Sequence, residues 1–302
     1  MGTRLHDRQV FFKYTSLATA HLVLKSRSFR WSAPTLFNDP FDHQTGLVID
    51  EAPTAFADFL FDSSARIIFG EEEPEPNPDT TLLQAAIGLR RIRHRLPKDE
   101  VLVNLRHGAM EVALRLHEHI ASFNQVLQLH LCSSRIFCVS ETAHNLVMWS
   151  HYADEHRGAV FELGCIDELD NRLLAARQVE YTDKFVSFPS SMQYALHLTG
   201  EAPFDMVPLV WNIAFSKHID WAYEREWRVH LPLLDLSVGE GHLLLEEPAP
   251  VFKSITLGCR ATDKDVADTI ALVKAHLPLT AVRRAVRSKS AFKLDFVDVY
   301  AA

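Results

Sequence analysis

The feature that most constrains the fold is the stretch Trp-Ala-Tyr-Glu-Arg-Glu-Trp-Arg at residues 221–228. From Trp227 the chain alternates between apolar and other residues, with Val229 and Leu231 at the next apolar positions. A period of two is typical of a strand with one buried face. The sequence therefore predicts a half-buried strand that begins beside a cluster of charged and aromatic side chains.

Glu224 and Glu226 are the candidate catalytic residues of this stretch. Alternate side chains of a strand share a face, so we expect the two carboxylates on one face, about 6–7 Å apart along the backbone. Repulsion between neighbouring carboxylates is expected to raise the pKa of one of them, as at many functional sites. Alternatively, both carboxylates form structural ion pairs in solvent with nearby cations, namely Arg225, Arg228 or Lys217.

The length and charge of the chain set limits on its class. A chain of 302 residues can bury the core of one large domain or of two modest ones. Its hydrophobic content of 47% and charged content of 23% are those of a globular protein. Acidic residues outnumber basic ones by 39 to 31, which gives a net charge of −8. This charge disfavours nonspecific binding to nucleic acid, although a local basic patch could still bind it.

Apolar runs and cysteines indicate the compartment. No apolar run approaches the ~20 residues that span a bilayer, and the N-terminal residues lack the apolar core of a signal peptide. The four cysteines have neither a C-x-x-C pair nor a spacing typical of disulfide frameworks. We therefore expect a cytoplasmic protein with reduced thiols and no membrane partner.

Short strand patterns and helix patterns alternate along the rest of the chain. Strands are expected near residues 10–14, 29–32, 136–140, 159–163, 179–181, 251–257 and 292–296. Residues 53–131 instead carry long helical patterns, and we interpret them as a mainly helical insertion. The sequence predicts a single α+β domain over residues 1–302, with a mixed β-sheet.

Two further segments carry side chains suited to binding a ligand. Asn38 and Asp39 lie in a proline-containing loop, where irregular backbone can present polar groups or simply close a turn. Trp149 and Tyr152 are three residues apart in a predicted helix. That spacing suits either stacking on a flat ligand or packing in the core.

Motifs of several common enzyme classes are absent from the sequence. It contains no G-x-G-x-x-G, no phosphate-binding G-x-x-x-x-G-K, no H-E-x-x-H and no G-x-S-x-G. The carboxylates of Asp39, Asp42, Glu224 and Glu226 could instead hold a Mg²⁺ ion. A metal-dependent nuclease that uses this acidic cluster therefore remains an alternative.

Four motifs follow one another along the chain: Phe-Lys-Tyr-Thr-Ser from residue 12, Phe-Asn-Asp-Pro-Phe-Asp from residue 37, Phe-Cys-Val-Ser-Glu from residue 137 with Met-Trp-Ser-His-Tyr-Ala from residue 148, and Tyr-Glu-Arg-Glu-Trp-Arg from residue 223. Their order resembles a bacterial family, the domain of unknown function 2971 family. The family name supplies no activity.

The layout of these motifs also resembles, more distantly, the ADP-ribosyltransferase superfamily, especially its branch of toxins that modify nucleic acids. This resemblance implies a split β-sheet and the use of NAD as a substrate. It implies that Glu226 is the catalytic glutamate and that Glu224 completes an E-x-E pair. It also implies that Lys13 takes the first cationic position and that Ser140 or Tyr152 fills the middle position.

The chemistry of such a transfer fits the residues. Breaking the nicotinamide–ribose bond builds positive charge on the ribose, as glycoside hydrolysis does. A fixed carboxylate such as Glu226 can stabilise that charge while Glu224 takes a proton from the acceptor. The other expected contacts are to pyrophosphate from Lys13, to nicotinamide from Tyr14 or Trp149, and to ribose or acceptor from Asn38 and Asp39.

The sequence therefore predicts an NAD-dependent ADP-ribosyltransferase-like enzyme, with a protein or nucleic acid as the acceptor and no bound metal. The resemblance implies a toxin or an anti-phage effector as the biological context. The alternatives are the metal-dependent nuclease and a non-catalytic binding module on the same fold.

Overall fold

The computed structural model describes residues 4–43, 46–74, 80–188, 190–205, 207–233 and 241–301. The chain divides into two compact units. Unit 1 contains residues 1–44, 130–183 and 215–302, and unit 2 contains residues 45–129 and 184–214. Residues 184–214 thus belong with the helical segment, a grouping that was not predicted from the sequence.

Strands and helices alternate through the described ranges. The strands are β1 (Val10–Thr15), β2 (Ser28–Ser32), β3 (Arg135–Ser140), β4 (Ala159–Gly164), β5 (Arg177–Gln178), β6 (Glu180–Thr182), β7 (Ser216–His218), β8 (Glu226–Leu231), β9 (His242–Glu246), β10 (Phe252–Leu257), β11 (Ala281–Arg287) and β12 (Leu294–Tyr300). The helices are α1 (Leu17–Ser26), α2 (Pro53–Phe69), α3 (Thr81–Ile92), α4 (Lys98–Ser133), α5 (Leu146–Tyr152), α6 (Ser191–Leu198), α7 (Val207–Phe215) and α8 (Asp263–His276).

Ten of the described strands form one open sheet in unit 1. The order is β12-β11-β10-β4-β1-β3-β2-β9, and β8 pairs with both β3 and β5. β10 and β11 run parallel, and the other pairings in this sheet are antiparallel. The predicted α+β class with a mixed sheet is therefore confirmed.

The sheet forks at β3. One edge of this strand pairs with β8 along its whole length. The other edge meets β1 at Ser140 and β2 at Ile136, so β1 and β2 diverge between these two points. Inside the gap, the carbonyl oxygen of Cys138 accepts a hydrogen bond from Nζ of Lys13 at 2.7 Å. A charged side chain therefore takes the place of a backbone partner at this edge. We call this gap the fork.

The main core of unit 1 lies between the sheet and the helices α1 and α8. Phe11, Phe161 and Ile255 of the sheet are fully buried together with Leu24 of α1 and Val273 of α8. Burying one such side chain contributes about 1.5–3 kcal/mol to the free energy of unfolding. This core supports the strands on both sides of the fork.

Local sequence signals fix the ends of these two helices. The Ser16 side chain accepts a hydrogen bond from the N–H of Thr19, and Thr262 with Asp265 forms a reciprocal capping box. Ser and Thr are residues that local sequence commonly supplies as N-caps. α1 ends at Ser26, and the next residue, Arg27, has a left-handed φ of 54°.

Unit 2 consists mainly of helices. Ile68 of α2 packs with Leu83 of α3 in a separate buried cluster. The amide of Asn124 in α4 bonds both the N–H and the C=O of Leu47, each at 2.9 Å. In the described part of the chain, no helix is both long and apolar enough to cross a membrane.

Candidate functional site

Glu224 lies on a turn, whereas Glu226 begins a strand. Residues 219–224 form a 3₁₀ turn, and Arg225 then adopts the left-handed φ of 45° and ψ of 53° before β8 starts. The expectation that both glutamates lie on one face of one strand is therefore wrong, because the left-handed residue redirects the chain between them. Their carboxylates converge all the same, since both contact Nζ of Lys217.

Two polar side chains hold the turn that carries Glu224. Oγ of Ser140, at the end of β3, donates to the carbonyl of Glu224 at 2.7 Å. Nδ2 of Asn145 donates to the carbonyl of Tyr223 at 2.7 Å, while its Oδ1 accepts from two N–H groups in the first turn of α5. Asn145 therefore fixes the start of α5 against the turn. Ser140, expected to bind the cofactor, supports the backbone here.

Three carboxylates share the ammonium group of Lys217. Its Nζ lies 2.5 Å from Glu224, 3.2 Å from Glu226 and 3.6 Å from Asp42, and 4.7 Å from the ring centroid of Trp221. Burial alone would lower the pKa of Lys217, but the three carboxylates outweigh it and raise that pKa. Lys217 is therefore a fixed positive charge at the site.

The guanidinium of Arg228 is fully buried between two carboxylates. It donates to Glu226 through Nε and Nη2, at 2.8 and 3.0 Å, and to Asp42 through Nη1 and Nη2, at 2.8 and 2.7 Å. Such bidentate pairs are strong and fix both partners in place. The ion pairs of the alternative interpretation thus exist with Arg228 and Lys217, but they lie in the interior rather than in solvent.

Burial and charge move the pKa values of the two glutamates in opposite directions. Burial alone would raise the pKa of Glu226, but Arg228 and Lys217 outweigh it, and that pKa lies well below the ordinary range. The pKa of Glu224 is raised, first by burial and then by the charge of Glu226. Lys217 and Tyr152 offset this only in part. One raised pKa was expected, although burial contributes more to it than repulsion does.

The charges of this cluster distinguish Glu224 from the other two carboxylates. Two cations, Lys217 and Arg228, face three carboxylates, those of Asp42, Glu224 and Glu226. The pKa of Glu224 is raised whereas those of Glu226 and Asp42 are lowered, so Glu224 takes up a proton more readily than the other two. Such a group is suited to releasing and taking up a proton in a reaction.

A short hydrogen-bond chain runs from Glu224 to the loop after β2. The hydroxyl of Tyr152 donates to Oε1 of Glu224 at 2.5 Å and accepts from Nδ2 of Asn38 at 3.4 Å. The pKa of Tyr152 is raised, first by burial and then by the charge of Glu224, so the hydroxyl keeps its proton. This chain orients one carboxylate oxygen of Glu224.

A cleft of about 500 Å³ opens at the fork. This volume lies within the range of about 300–1,000 Å³ that small-molecule sites occupy. The predicted site residues that line it are Lys13, Tyr14, Asn38, Ser140, Tyr152, Glu224 and Glu226. The fold therefore brings seven of the nine predicted site residues to one cavity.

Trp149 and Asp39 are not among the described residues that line this cleft. Trp149 is fully buried, lies edge-on to Tyr14 at 5.6 Å between ring centroids, and donates from Nε1 to the carbonyl of Ala143 at 2.7 Å. Oδ1 of Asp39 accepts from the N–H of Phe41 at 2.9 Å. Trp149 is a core residue, and Asp39 shapes a turn.

Lys13 and Tyr14 line the cleft but already have partners. Besides its bond to Cys138, Nζ of Lys13 lies 5.0 Å from the ring centroid of Phe137, and burial lowers its pKa. The hydroxyl of Tyr14 donates to the carbonyl of Thr142 at 2.9 Å. An ammonium group has three donors, so Lys13 can bond a ligand as well as Cys138.

The acidic cluster does not have the arrangement of a metal site. Across the described ranges, no group of three or more His, Cys, Asp and Glu residues is placed to hold a metal ion. Asp42, Glu224 and Glu226 instead surround Lys217 and Arg228. Side chains of the protein itself compensate their charge.

Sequence reasoning missed two supporting residues. Asn145 directly precedes an apolar helical run, which is an N-cap signal that could have identified its role. The hydroxyl of Tyr181 accepts from the N–H of Glu226 at 2.8 Å and so fixes the start of β8. No local pattern marks Tyr181, because this contact joins segments 45 residues apart.

The fold and the site together define an α+β protein with a cleft at a fork in its sheet and a buried glutamate that bonds a tyrosine and a lysine. The family model described as "Protein of unknown function (DUF2971)" matches residues 148–229. This part of the chain, from α5 to β8, is similar to that family, which supports the resemblance drawn from the motifs. No curated protein and no solved structure matches the chain significantly.

Proposed function

We propose that the protein is an ADP-ribosyltransferase-like enzyme that breaks the nicotinamide–ribose bond of NAD and transfers ADP-ribose to an acceptor. The observation that carries this proposal is the position of Glu224 at the cleft, with a raised pKa and hydrogen bonds from Tyr152 and Lys217. A carboxylate fixed beside a sheet opening is also what the resemblance to that superfamily implies.

In this proposal Glu224 takes over the catalytic role first given to Glu226. Both oxygens of Glu226 accept from Arg228, and one also accepts from Lys217. Its remaining capacity to bond a substrate is therefore small. Glu226 acts as a positioning residue, because its charge helps to place Lys217 and raises the pKa of Glu224.

The proposed reaction is a balanced substitution at the ribose. The bond between C1′ and the ring nitrogen breaks, and its electron pair leaves with nicotinamide, which becomes neutral. Ionised Glu224 stabilises the positive charge left on the ribose. A lone pair of the acceptor forms the new bond to C1′, and the acceptor proton passes to Glu224 and then to water.

Nicotinamide release from NAD, with and without a cell lysate as the source of acceptor, tests this proposal. Glu224→Gln resembles the protonated glutamate, so it should keep the fold and the affinity for NAD. It should lower the release rate by roughly 10²-fold or more, because the charge on the ribose loses its partner. Glu180→Gln, which changes an exposed carboxylate of β6 in the same way, is the matched control and should leave the rate unchanged.

The pH profile separates the two glutamates. Because Glu224 must be ionised, the rate should rise with pH through a pKa above the ordinary glutamate value of about 4.3. Glu226→Gln removes the neighbouring charge that raises this pKa, so the rising limb should move to lower pH. Glu224→Gln should remove the limb altogether.

Three results would contradict the proposal in different ways. If calorimetry in excess EDTA detects no binding of NAD to the protein, NAD is excluded as the substrate. Binding without nicotinamide release in any lysate would favour the non-catalytic binding module. If the Glu224→Gln variant releases nicotinamide at the rate of the wild type, Glu224 has no catalytic role.

A further inference from the structure

A second cavity of unit 1, of about 740 Å³, lies at the hairpin between β11 and β12. The hairpin segment Arg-Ser-Lys-Ser-Ala-Phe-Lys at residues 287–293 lines it, and so does Arg260 from the turn between β10 and α8. The residues that line this cavity differ from those that line the cleft at the fork. It is therefore a separate candidate site.

The cations of this cavity are mostly uncompensated. Within the described part of the chain, no carboxylate lies within ion-pair distance of the exposed side chains of Arg287 and Lys289. Nη1 of Arg260 donates to a backbone carbonyl at 3.2 Å, whereas Lys293 pairs with Asp295 at 2.9 Å. Arg260, Arg287 and Lys289 have no carboxylate partner among the residues that the structure describes, which favours a positive potential in the cavity although the whole chain has a net charge of −8.

An exposed aromatic ring lies among these cations. The relative exposure of Phe292 is 101%, so both faces of the ring are open to solvent. A single exposed apolar side chain is common on protein surfaces. Here, however, the ring shares a cavity with Arg287, Lys289 and the hydroxyl groups of Ser288 and Ser290. Cations that contact phosphates, hydroxyl donors and an aromatic platform for bases are the components of single-strand recognition.

We propose that this cavity binds single-stranded nucleic acid. Arg260, Arg287 and Lys289 contact successive phosphates, and one base stacks on Phe292. Stacking on a side chain requires an unstacked base, which a single strand offers and a duplex does not. An acidic peptide would satisfy the three cations but would leave the ring without a partner. The binding does not depend on the reaction proposed for the cleft.

Fluorescence anisotropy with a labelled single strand of about ten nucleotides tests the proposal, since site sizes are about 4–16 nucleotides. Each phosphate contact on a single strand contributes ~0.7 to the slope of log K against log salt concentration, where K is the association constant. Three contacts should therefore give a slope of about −2. A duplex of the same length and poly-glutamate serve as competitors. Both should compete much more weakly than an unlabelled single strand.

Variants of the cations and of Phe292 separate the contribution of charge to binding from that of the aromatic ring. The double variant Arg287→Gln with Lys289→Gln should reduce the magnitude of the salt slope by about 1.4, at ~0.7 for each lost contact. The matched control is Lys25→Gln with Lys253→Gln, which removes two exposed charges elsewhere in unit 1 and should leave the slope unchanged. Phe292→Ala should weaken binding about tenfold without changing the slope, and Phe292→Trp should restore it.

Several results would overturn the proposal. The first is that the duplex or poly-glutamate binds as tightly as the single strand. The second is that the two double variants lose equal amounts of salt slope. The third is that Phe292→Ala leaves the affinity for the single strand unchanged. The altered side chains are exposed at a hairpin, so the variants should keep the melting temperature of the wild type. Because the assay contains no NAD, its outcome is independent of whether Glu224 is catalytic.

Discussion

Replacing Arg228 with methionine should destabilise unit 1 strongly at neutral pH. The substitution keeps much of the side-chain volume but removes a buried cation that bonds Glu226 and Asp42. The two buried carboxylates then keep Lys217 as a shared cationic partner, and Asp42 also keeps its contact with His43. Removing one member of a buried ion pair typically costs about 3–5 kcal/mol. That is a large fraction of the ~5–15 kcal/mol by which native proteins are stable.

The sign of the pH dependence follows from the pKa shifts. In the wild type, burial alone would raise the pKa values of Glu226 and Asp42, but Arg228 outweighs burial and lowers both. A lowered pKa contributes stability above the unfolded value of about 4, and this stability is lost as the pH falls through the folded value. Without Arg228 both pKa values rise, so protonation of Glu226 and Asp42 at low pH removes their uncompensated buried charge and reduces the loss of stability. Its deficit should be largest near pH 7 and smaller below about pH 5.

Urea denaturation followed by tryptophan fluorescence measures this deficit, because four of the five tryptophans belong to unit 1. Arg225→Met is the matched control, since this exposed arginine of the same stretch should cost no more than about 0.5 kcal/mol. Adding Glu226→Gln and Asp42→Asn to Arg228→Met should recover much of the lost stability. A wild-type urea midpoint for Arg228→Met at pH 7, or a deficit that grows at pH 5, would refute the reasoning.

Two further predictions concern the parts that hold Glu224. Tyr152→Phe should lower nicotinamide release by roughly tenfold or more and move the rising limb of the pH profile to higher pH, because it removes a hydrogen bond that lowers the pKa of Glu224. A limb that moves to lower pH would contradict it. Asn145→Ala and Thr262→Ala each remove an N-cap and should each cost about 1 kcal/mol in urea denaturation. Only Asn145→Ala should also impair release, since its amide holds the turn before Glu224, and equal release by both variants would show that this contact is dispensable.

Local signals predicted the elements that depend on local sequence. The strands expected near residues 136–140 and 159–163 are present as β3 and β4, because the residue pattern of a strand is local in sequence. The position of Glu224 was predicted incorrectly, because the left-handed conformation of Arg225 has no signal in the sequence. Left-handed φ in a residue other than glycine is uncommon and depends on surrounding contacts.

The site itself was predicted only in part, for a related physical reason. Glu224 and Glu226 stood out because two acidic residues are close together in the sequence. Their environment depends on contacts between distant segments, such as the pairing of Asp42 with Arg228 across 186 positions. Trp149 illustrates the same limit, since its helical spacing suits a ligand or a core equally well and only the fold decides.

The fork also has a consequence for synthesis of the chain. β3 ends at Ser140, whereas β8, which pairs with the whole length of β3, begins only at Glu226. At ~5–20 residues per second, a ribosome needs about 5–20 s to add the intervening segment. During that interval β3 lacks its β8 partner, and an unpaired strand edge can pair with another chain. Chains that stop before β8 should therefore aggregate or require a chaperone, and closure of the sheet at the fork should be a late and slow event in folding.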